Sequence, residues 1–306
     1  MLSWMFATLI TVGEAEQGIG RTDWRFVDCR FNLRDLGAGR AAYHKGHIPR
    51  AVYAHLDEDL SGPIVDGKSG RHPLPDDLSM TALVRRLGVD ARTQVVVYDD
   101  VGGRIAARLW WMLKYAGLEH VAVLDGGWPA WTAAAMQQEL TVVPAPSSDY
   151  TPSFRRAQVV STSMLEGWLS AGAAPVLLDA RAPERFRGEV EPLDPVAGHI
   201  PGAASSPCAA SLTEDGTFRA PESLREALAE VASGDVTERG ASVAYCGSGV
   251  TACHLILAME YAGLPSPRLY PGSWSEWCSH AGRPIATGPG SRSTANDLSN
   301  DVDRKK

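Results

Sequence analysis

Residues 198–205 read GHIPGAAS, and residues 46–53 read GHIPRAVY. The pair is one of four. FVDCR at 26–30 is matched by LLDAR at 177–181, VVVYDD at 95–100 by SVAYCG at 242–247, and LDGGWPAW at 124–131 by YPGSWSEW at 270–277. The matches keep their order and a nearly constant offset, which unrelated similarities would not do. The chain therefore carries one unit twice. In each unit short β-branched runs (Val95–Tyr98, Val121–Leu124, Val176–Leu178, Val243–Tyr245) alternate with helical stretches. Arg104–Ala116 and Thr251–Ala262 have apolar residues at helical spacing, and each stops at a glycine, Gly117 and Gly263. Strands alternating with helices predict an α/β fold: two tandem domains, each a mainly parallel sheet with helices on both faces. The expected divisions are a first domain over 1–140, a Pro- and Ser-rich linker over 141–157, a second domain over 158–287 and a disordered polar tail over 288–306.

Composition narrows the function. The chain has 306 residues, 44% of them hydrophobic and 21% charged, which suits a packed core. A formal net charge of -7 argues against a nucleic-acid partner. The apolar opening, MLSWMFATLITVGEAE, has no basic leader region and is too short to span a bilayer, so no membrane partner is expected. The five cysteines are odd in number, and reduced thiols in a cytoplasmic setting are expected. The histidines and cysteines show no metal-ligand spacing, so no metal or other cofactor is expected.

One cysteine stands apart. In SVAYCGSGVTACHL, Cys246 ends a strand-like run and is followed by Gly247, Ser248, Gly249, Val250 and Thr251. The ends of parallel strands are where ligands sit in such sheets. Glycines let backbone amides turn inward, and the helix that starts near Thr251 presents its positive end. Both favour a thiolate, the nucleophilic form of cysteine. The first unit has Asp99 or Asp100 at the same place, so only the second unit is expected to be catalytic. A phosphatase loop would need an arginine at position 252, which is alanine. A dithiol redox motif would need a cysteine at 249, which is glycine. Sulfur transfer through a persulfide needs only an activated thiol, an amide cradle and room for a small anionic sulfur donor.

The loop CGSGVTA, with GHIPGA and GSWSEW, resembles the tandem-domain rhodanese-type sulfurtransferases, and within them the 3-mercaptopyruvate branch. The likeness runs from about Arg25 to Pro284. It implies sulfur transfer from 3-mercaptopyruvate through a Cys246 persulfide to a thiol, cyanide or a thioredoxin-like acceptor. Thiosulfate:cyanide sulfur transfer is the alternative, and a non-enzymatic persulfide carrier the third reading. Neutral Gly247 and Ser248 stand where thiosulfate-preferring relatives carry cations, which points to a donor whose carboxylate is gripped elsewhere. The resemblance implies Arg185 for that grip. A second arginine is expected near Glu191-Pro192-Leu193-Asp194, where none stands, and Arg187 or a first-domain residue is left to replace it. It also implies that Ser248 is paired with a histidine and an aspartate of the first domain, for which His47 in GHIP and Asp35 in FNLRDLG are the nearest candidates. A purely structural role for His47 stays open, because both units carry GHIP.

Overall fold

The computed structural model describes residues 5–232 and 242–290. The first sheet contains β1 (Leu9–Ile10), β2 (Trp24–Asp28), β3 (Val52–Tyr53), β4 (Gln94–Tyr98) and β5 (Val121–Leu124), in the order β1-β5-β4-β2-β3. The second contains β6 (Leu177–Asp179), β7 (Ala203–Ser205), β8 (Val243–Tyr245) and β9 (Arg268–Leu269), in the order β7-β6-β8-β9. Every pairing is parallel. Read from the other edge, the second order is that of β5-β4-β2-β3, so the repeat seen in sequence is a repeat of topology. The position of β1 is held in the second domain by a parallel bridge between Val159 and Leu269. The apolar opening thus includes an edge strand, followed by a helix, α1 (Val12–Glu16), with a Thr11–Glu14 capping box.

The repeated motifs build the same polar lock in both domains. The Asp28 carboxylate ends β2 and binds the Arg30 guanidinium, whose Nη2 also donates to Gly46 O at 2.6 Å. Asp179, Arg181 and Gly198 O repeat this with the same 2.6 Å bond. Each arginine lies over a tryptophan, Arg30 over Trp128 and Arg181 over Trp274. Tyr98 and Tyr245 receive the Ile48 and Ile200 amides at 3.2 and 3.3 Å. These contacts explain why DxR, GHIP and the tryptophan motif recur together. They tie the strand ends to the following loops, and the acids survive burial because a guanidinium faces each one.

Two helices join the domains. α4 (Ala106–Tyr115) and its counterpart α9 (Thr251–Tyr261) are apolar nearly all round, because each packs on its own sheet and on the other. One continuous core runs from Val97 and Trp110 to Ala244 and Leu255, and a separate cluster covers the outer face of each sheet. Lys114 and Glu260 pair across the junction at 2.7 Å. The segment at 141–155 has no regular helix or strand. It is pinned to the first domain where Ser153 and Arg155 donate to Ala116 O and Tyr115 O. Most of the expected disordered tail, 291–306, lies outside the described residues.

The lock makes a prediction. Arg30→Ala leaves Asp28 buried without its counter-charge and should cost roughly 3–5 kcal/mol. The loss is read as a fall in the thermal midpoint. Arg181→Ala should do the same in the second domain, and an unchanged midpoint in both would contradict the role given to the pair.

Candidate active site at the domain boundary

β8 delivers Cys246 to the floor of the boundary between the domains, where it is 2% exposed. The loop after it is held from outside. The Trp274 and Ser275 amides donate to the carbonyls of Cys246 and Gly247, each at 2.9 Å. Ser273, with a φ of 54°, turns its hydroxyl to accept the Cys246 amide at 3.0 Å. GSWSEW is therefore a brace for the loop. Inside the loop, the Gly249 amide points at Cys246 Sγ, 3.2 Å away. Gly249 has a φ of +79°, and a Cβ there would stand 2.6 Å from Pro271 O, so only glycine fits. Val250 is buried and Thr251 opens α9, so all six residues from 246 to 251 form one turn from strand to helix.

The first domain shows what such a turn can hold. The Trp128 amide donates to Asp99 O as that of Trp274 does to Cys246 O, which makes Asp99 the counterpart of Cys246. The buried Asp99 carboxylate accepts the amides of Val101, Gly103, Ile105 and Ala106 at 2.7–2.9 Å. The cradle of the first domain is filled by an anion of its own.

Ser248 Oγ lies 2.7 Å from His72 Nδ1, and His72 Nε2 lies 3.3 Å from Asp57 Oδ1. These are the first-domain histidine and aspartate beside the loop. His47 and Asp35, the candidates from sequence, are not brought to Ser248. His47 stacks on Tyr43 and bonds Tyr43 O through Nδ1 at 2.8 Å, just as His199 stacks on Phe186 and bonds Phe186 O. Asp35 is exposed and accepts the Gly37 amide at 3.1 Å in a surface turn before α2 (Ala38–Lys45). The sequence did hold a usable signal: GHIP occurs in both units and so belongs to the scaffold, whereas GRHP at 70–73 occurs in one.

Burial, with Arg108 and Arg71 nearby, pushes His72 down to about 4. The ring is then neutral at ordinary pH. The Asp57 carboxylate favours the proton on Nε2 and leaves Nδ1 to accept the Ser248 hydroxyl. Arg108, on α4 and fully buried, donates to His72 O at 3.1 Å, to Gly249 O at 3.0 Å and to Leu60 O. It holds the histidine and the cysteine loop in one frame.

Arg185 lies within a short helix, α7 (Pro183–Phe186), beside Gly247. Its Nε and Nη2 donate to Glu191, and Nη2 also to Asp194 Oδ2 at 3.2 Å. Arg187 is instead paired with Glu189 at the surface and is not among the groups around Gly247. Arg71 of the first domain reaches Asp194. Cys253, two turns along α9, is buried, donates to Gly249 O and is pushed up to about 12, chiefly by burial. Among the described residues no group of three or more His, Cys, Asp or Glu is placed to hold a metal, and no helix is long and apolar enough to cross a membrane.

The loop geometry is testable through Gly249. Gly249→Ala should lose roughly 1–3 kcal/mol from the left-handed backbone alone, and more from the clash with Pro271. Gly216→Ala, with a φ of +82° and open space around it, is the control. Equal falls in thermal midpoint for the two would contradict the close packing of the loop.

The rhodanese-like domain model matches residues 11–134 and 161–280. A Pseudomonas aeruginosa protein that carries a 3-mercaptopyruvate sulfurtransferase name is 42% identical over 283 residues, 92% of this chain and 99% of that one. A Mycobacterium tuberculosis protein that carries a thiosulfate sulfurtransferase name is also 42% identical, over 86% of this chain and 90% of that one. The structure of 3-mercaptopyruvate sulfurtransferase from Leishmania major superposes with a TM-score of 0.76 at 30% identity, covering 89% of this chain and 74% of that one. With the duplicated sheets, the cysteine loop and these relatives in agreement, the chain belongs to the rhodanese family, as a sulfurtransferase with two domains in tandem.

Proposed function

We propose that the protein takes the sulfur of 3-mercaptopyruvate onto Cys246 and passes it to a second thiophile, such as cyanide, a thiol or a thioredoxin-like protein. The observation that carries this reading is the Ser248–His72–Asp57 chain beside the thiol. The two donors considered differ in what they leave behind. Thiosulfate leaves sulfite, a stable anion that needs no proton. 3-Mercaptopyruvate leaves through carbon. The Cys246 thiolate forms an S–S bond to the donor sulfur, and the donor's C–S bond breaks with its electron pair on the methylene carbon, as an enolate. The proton carried by the donor thiol ends on that carbon. The products are the Cys246 persulfide anion and pyruvate, with atoms and charge conserved. A proton relay serves only this second donor.

In this reading Ser248 hands the proton across, His72 Nδ1 takes up and returns it, and Asp57 holds the ring in its tautomer. The Gly249 amide stabilises the anionic sulfur, as an oxyanion hole stabilises oxygen. The acceptor thiolate then attacks the outer sulfur and restores the Cys246 thiolate, a ping-pong cycle.

His72→Gln should lower kcat for 3-mercaptopyruvate roughly 10²–10⁴-fold, and leave any turnover of thiosulfate near its starting value. A proportionate loss with both donors would contradict the relay, and a higher kcat/KM for thiosulfate in the unaltered protein would overturn the choice of donor. The His72 ring, followed by NMR, should titrate near pH 4 rather than near 6.5, and the serine bond to Nδ1 should persist down to that pH. Stability follows the same group. Between pH 6.5 and about 4 the unfolded histidine is protonated and the folded one is not, so stability should fall as pH drops through that window. His72→Gln should flatten that fall.

A further inference from the structure

We propose that a pocket at the end of the first sheet where its strands begin binds a small hydroxyl-bearing phosphate ester through Arg25, whatever the sulfur donor is. Arg25 is the second residue of β2 and is only 5% exposed. Alternation along the strand sends Trp24 and Phe26 to the outer cluster and Val27 to the shared core, and Arg25 goes with Val27. Arg30 and Arg181 meet carboxylates, and Arg108 meets carbonyls. Arg25 meets neither. Its Nε is buried without a partner, and no carboxylate pairs with the guanidinium among the described residues. Burial and the nearby Arg50 both work against its positive charge. Such an arrangement is costly unless an anion meets the charge.

The repeat supplies a control. FVDCR at 26–30 aligns with LLDAR at 177–181, so the counterpart of Arg25 is Val176. Val176 packs on the shared core. The sheet accepts an apolar residue at this position, so the scaffold gives no reason for an arginine.

Arg25 lines a pocket of about 710 Å³, within the roughly 300–1,000 Å³ of small-molecule sites. Its far wall is the stretch 146–149 between the domains. That wall is seated on the first domain. The Ser148 amide donates to Arg85 O at 3.2 Å, and Gly88, with a φ of +67°, comes so near that a Cβ there would stand 2.1 Å from Pro146 O. Arg92 also lines the pocket, and its guanidinium has no ion pair among the described residues. The Thr22 and Ser147 hydroxyls beside it have no protein partner among the described residues either. Two guanidinium groups and two hydroxyls suit the three terminal oxygens of a phosphate better than the two of a carboxylate.

The acids of the lining define the rest of the ligand. Asp23 is held by Arg21 through Nε and Nη2. Asp90 accepts the Arg92 amide at 2.8 Å, and Asp149 has no partner among the described residues. Carboxylates beside an anion subsite accept from ligand hydroxyls. No aromatic side chain lines the pocket among the described residues, so a nucleobase would have nothing to stack on. The lining therefore fits a sugar phosphate and not a nucleotide.

Titration calorimetry tests this with ribose 5-phosphate, inorganic phosphate and ribose, in phosphate-free buffer at fixed ionic strength. Ribose 5-phosphate should bind once per chain, inorganic phosphate about tenfold more weakly, and ribose not at all. No binding of the ester would overturn the proposal, and equal affinity for ester and phosphate would overturn the role of the acids. Arg25→Val installs the counterpart residue. It should keep or raise the thermal midpoint, because a buried unpaired charge is removed. It should weaken ribose 5-phosphate about tenfold or more and leave sulfur transfer unchanged. A lowered midpoint would mean that the fold needs the arginine, and an unchanged affinity would place the ester elsewhere; either result overturns the proposal. Arg92→Gln, at the exposed rim, should weaken the ester in the same direction with the midpoint unchanged, and full affinity in that variant would remove Arg92 from the site.

Discussion

The guanidinium of Arg108 is fully buried between the two domains and bonds carbonyls from three segments of chain. Two of those segments meet at the candidate site: His72 in the first domain and the cysteine loop in the second. A buried arginine is costly unless its donors are met, so the docking that satisfies it is narrowly defined. The continuous apolar contact of α4 with α9 supplies the adhesion, and Arg108 supplies the register. Ser248 meets His72, and Arg71 meets Asp194, only because that register holds. The first domain has no thiol of its own at the loop, yet the site is incomplete without it.

Duplication explains how such a division could arise. Both units need the aspartate–arginine lock, the GHIP turn and the tryptophan brace to fold. Those motifs are kept in both and say nothing about chemistry. The cradle diverged instead. In one copy a carboxylate, Asp99, satisfies the amides and closes the turn. In the other a thiol, Cys246, stands at that place and meets the Gly249 amide. In a chain with a net charge of -7, the positive potential beside the loop is local, made of amides and a few arginines held by buried acids.

The repeat was legible because its motifs are local and ordered, and it carried the tandem α/β architecture with it. The turn that carries Cys246 was legible for the same reason: strand, thiol, bare loop and helix are contiguous in the chain. The partners of Ser248 were not. His72 and Asp57 lie far from it in sequence, and only the docking of two domains brings them near. His47 drew attention through a motif that serves the scaffold in both units. The surroundings of Asp194 were hidden in the same way. Position 194 carries an acid, and what that acid holds, Arg71, comes from the other domain. Helix α4 was legible from its apolar spacing, but its burial against the second domain was not.

The proposed chemistry depends on Cys246 as the sulfur carrier. The most direct measurement is the intact mass of the protein after one equivalent of 3-mercaptopyruvate without acceptor, with released pyruvate assayed in parallel. A gain of one sulfur atom, mapped to Cys246, matched by one pyruvate and lost on adding cyanide, is the predicted result. Pyruvate release with no sulfur on Cys246, or the same gain in Cys246→Ser, would contradict it.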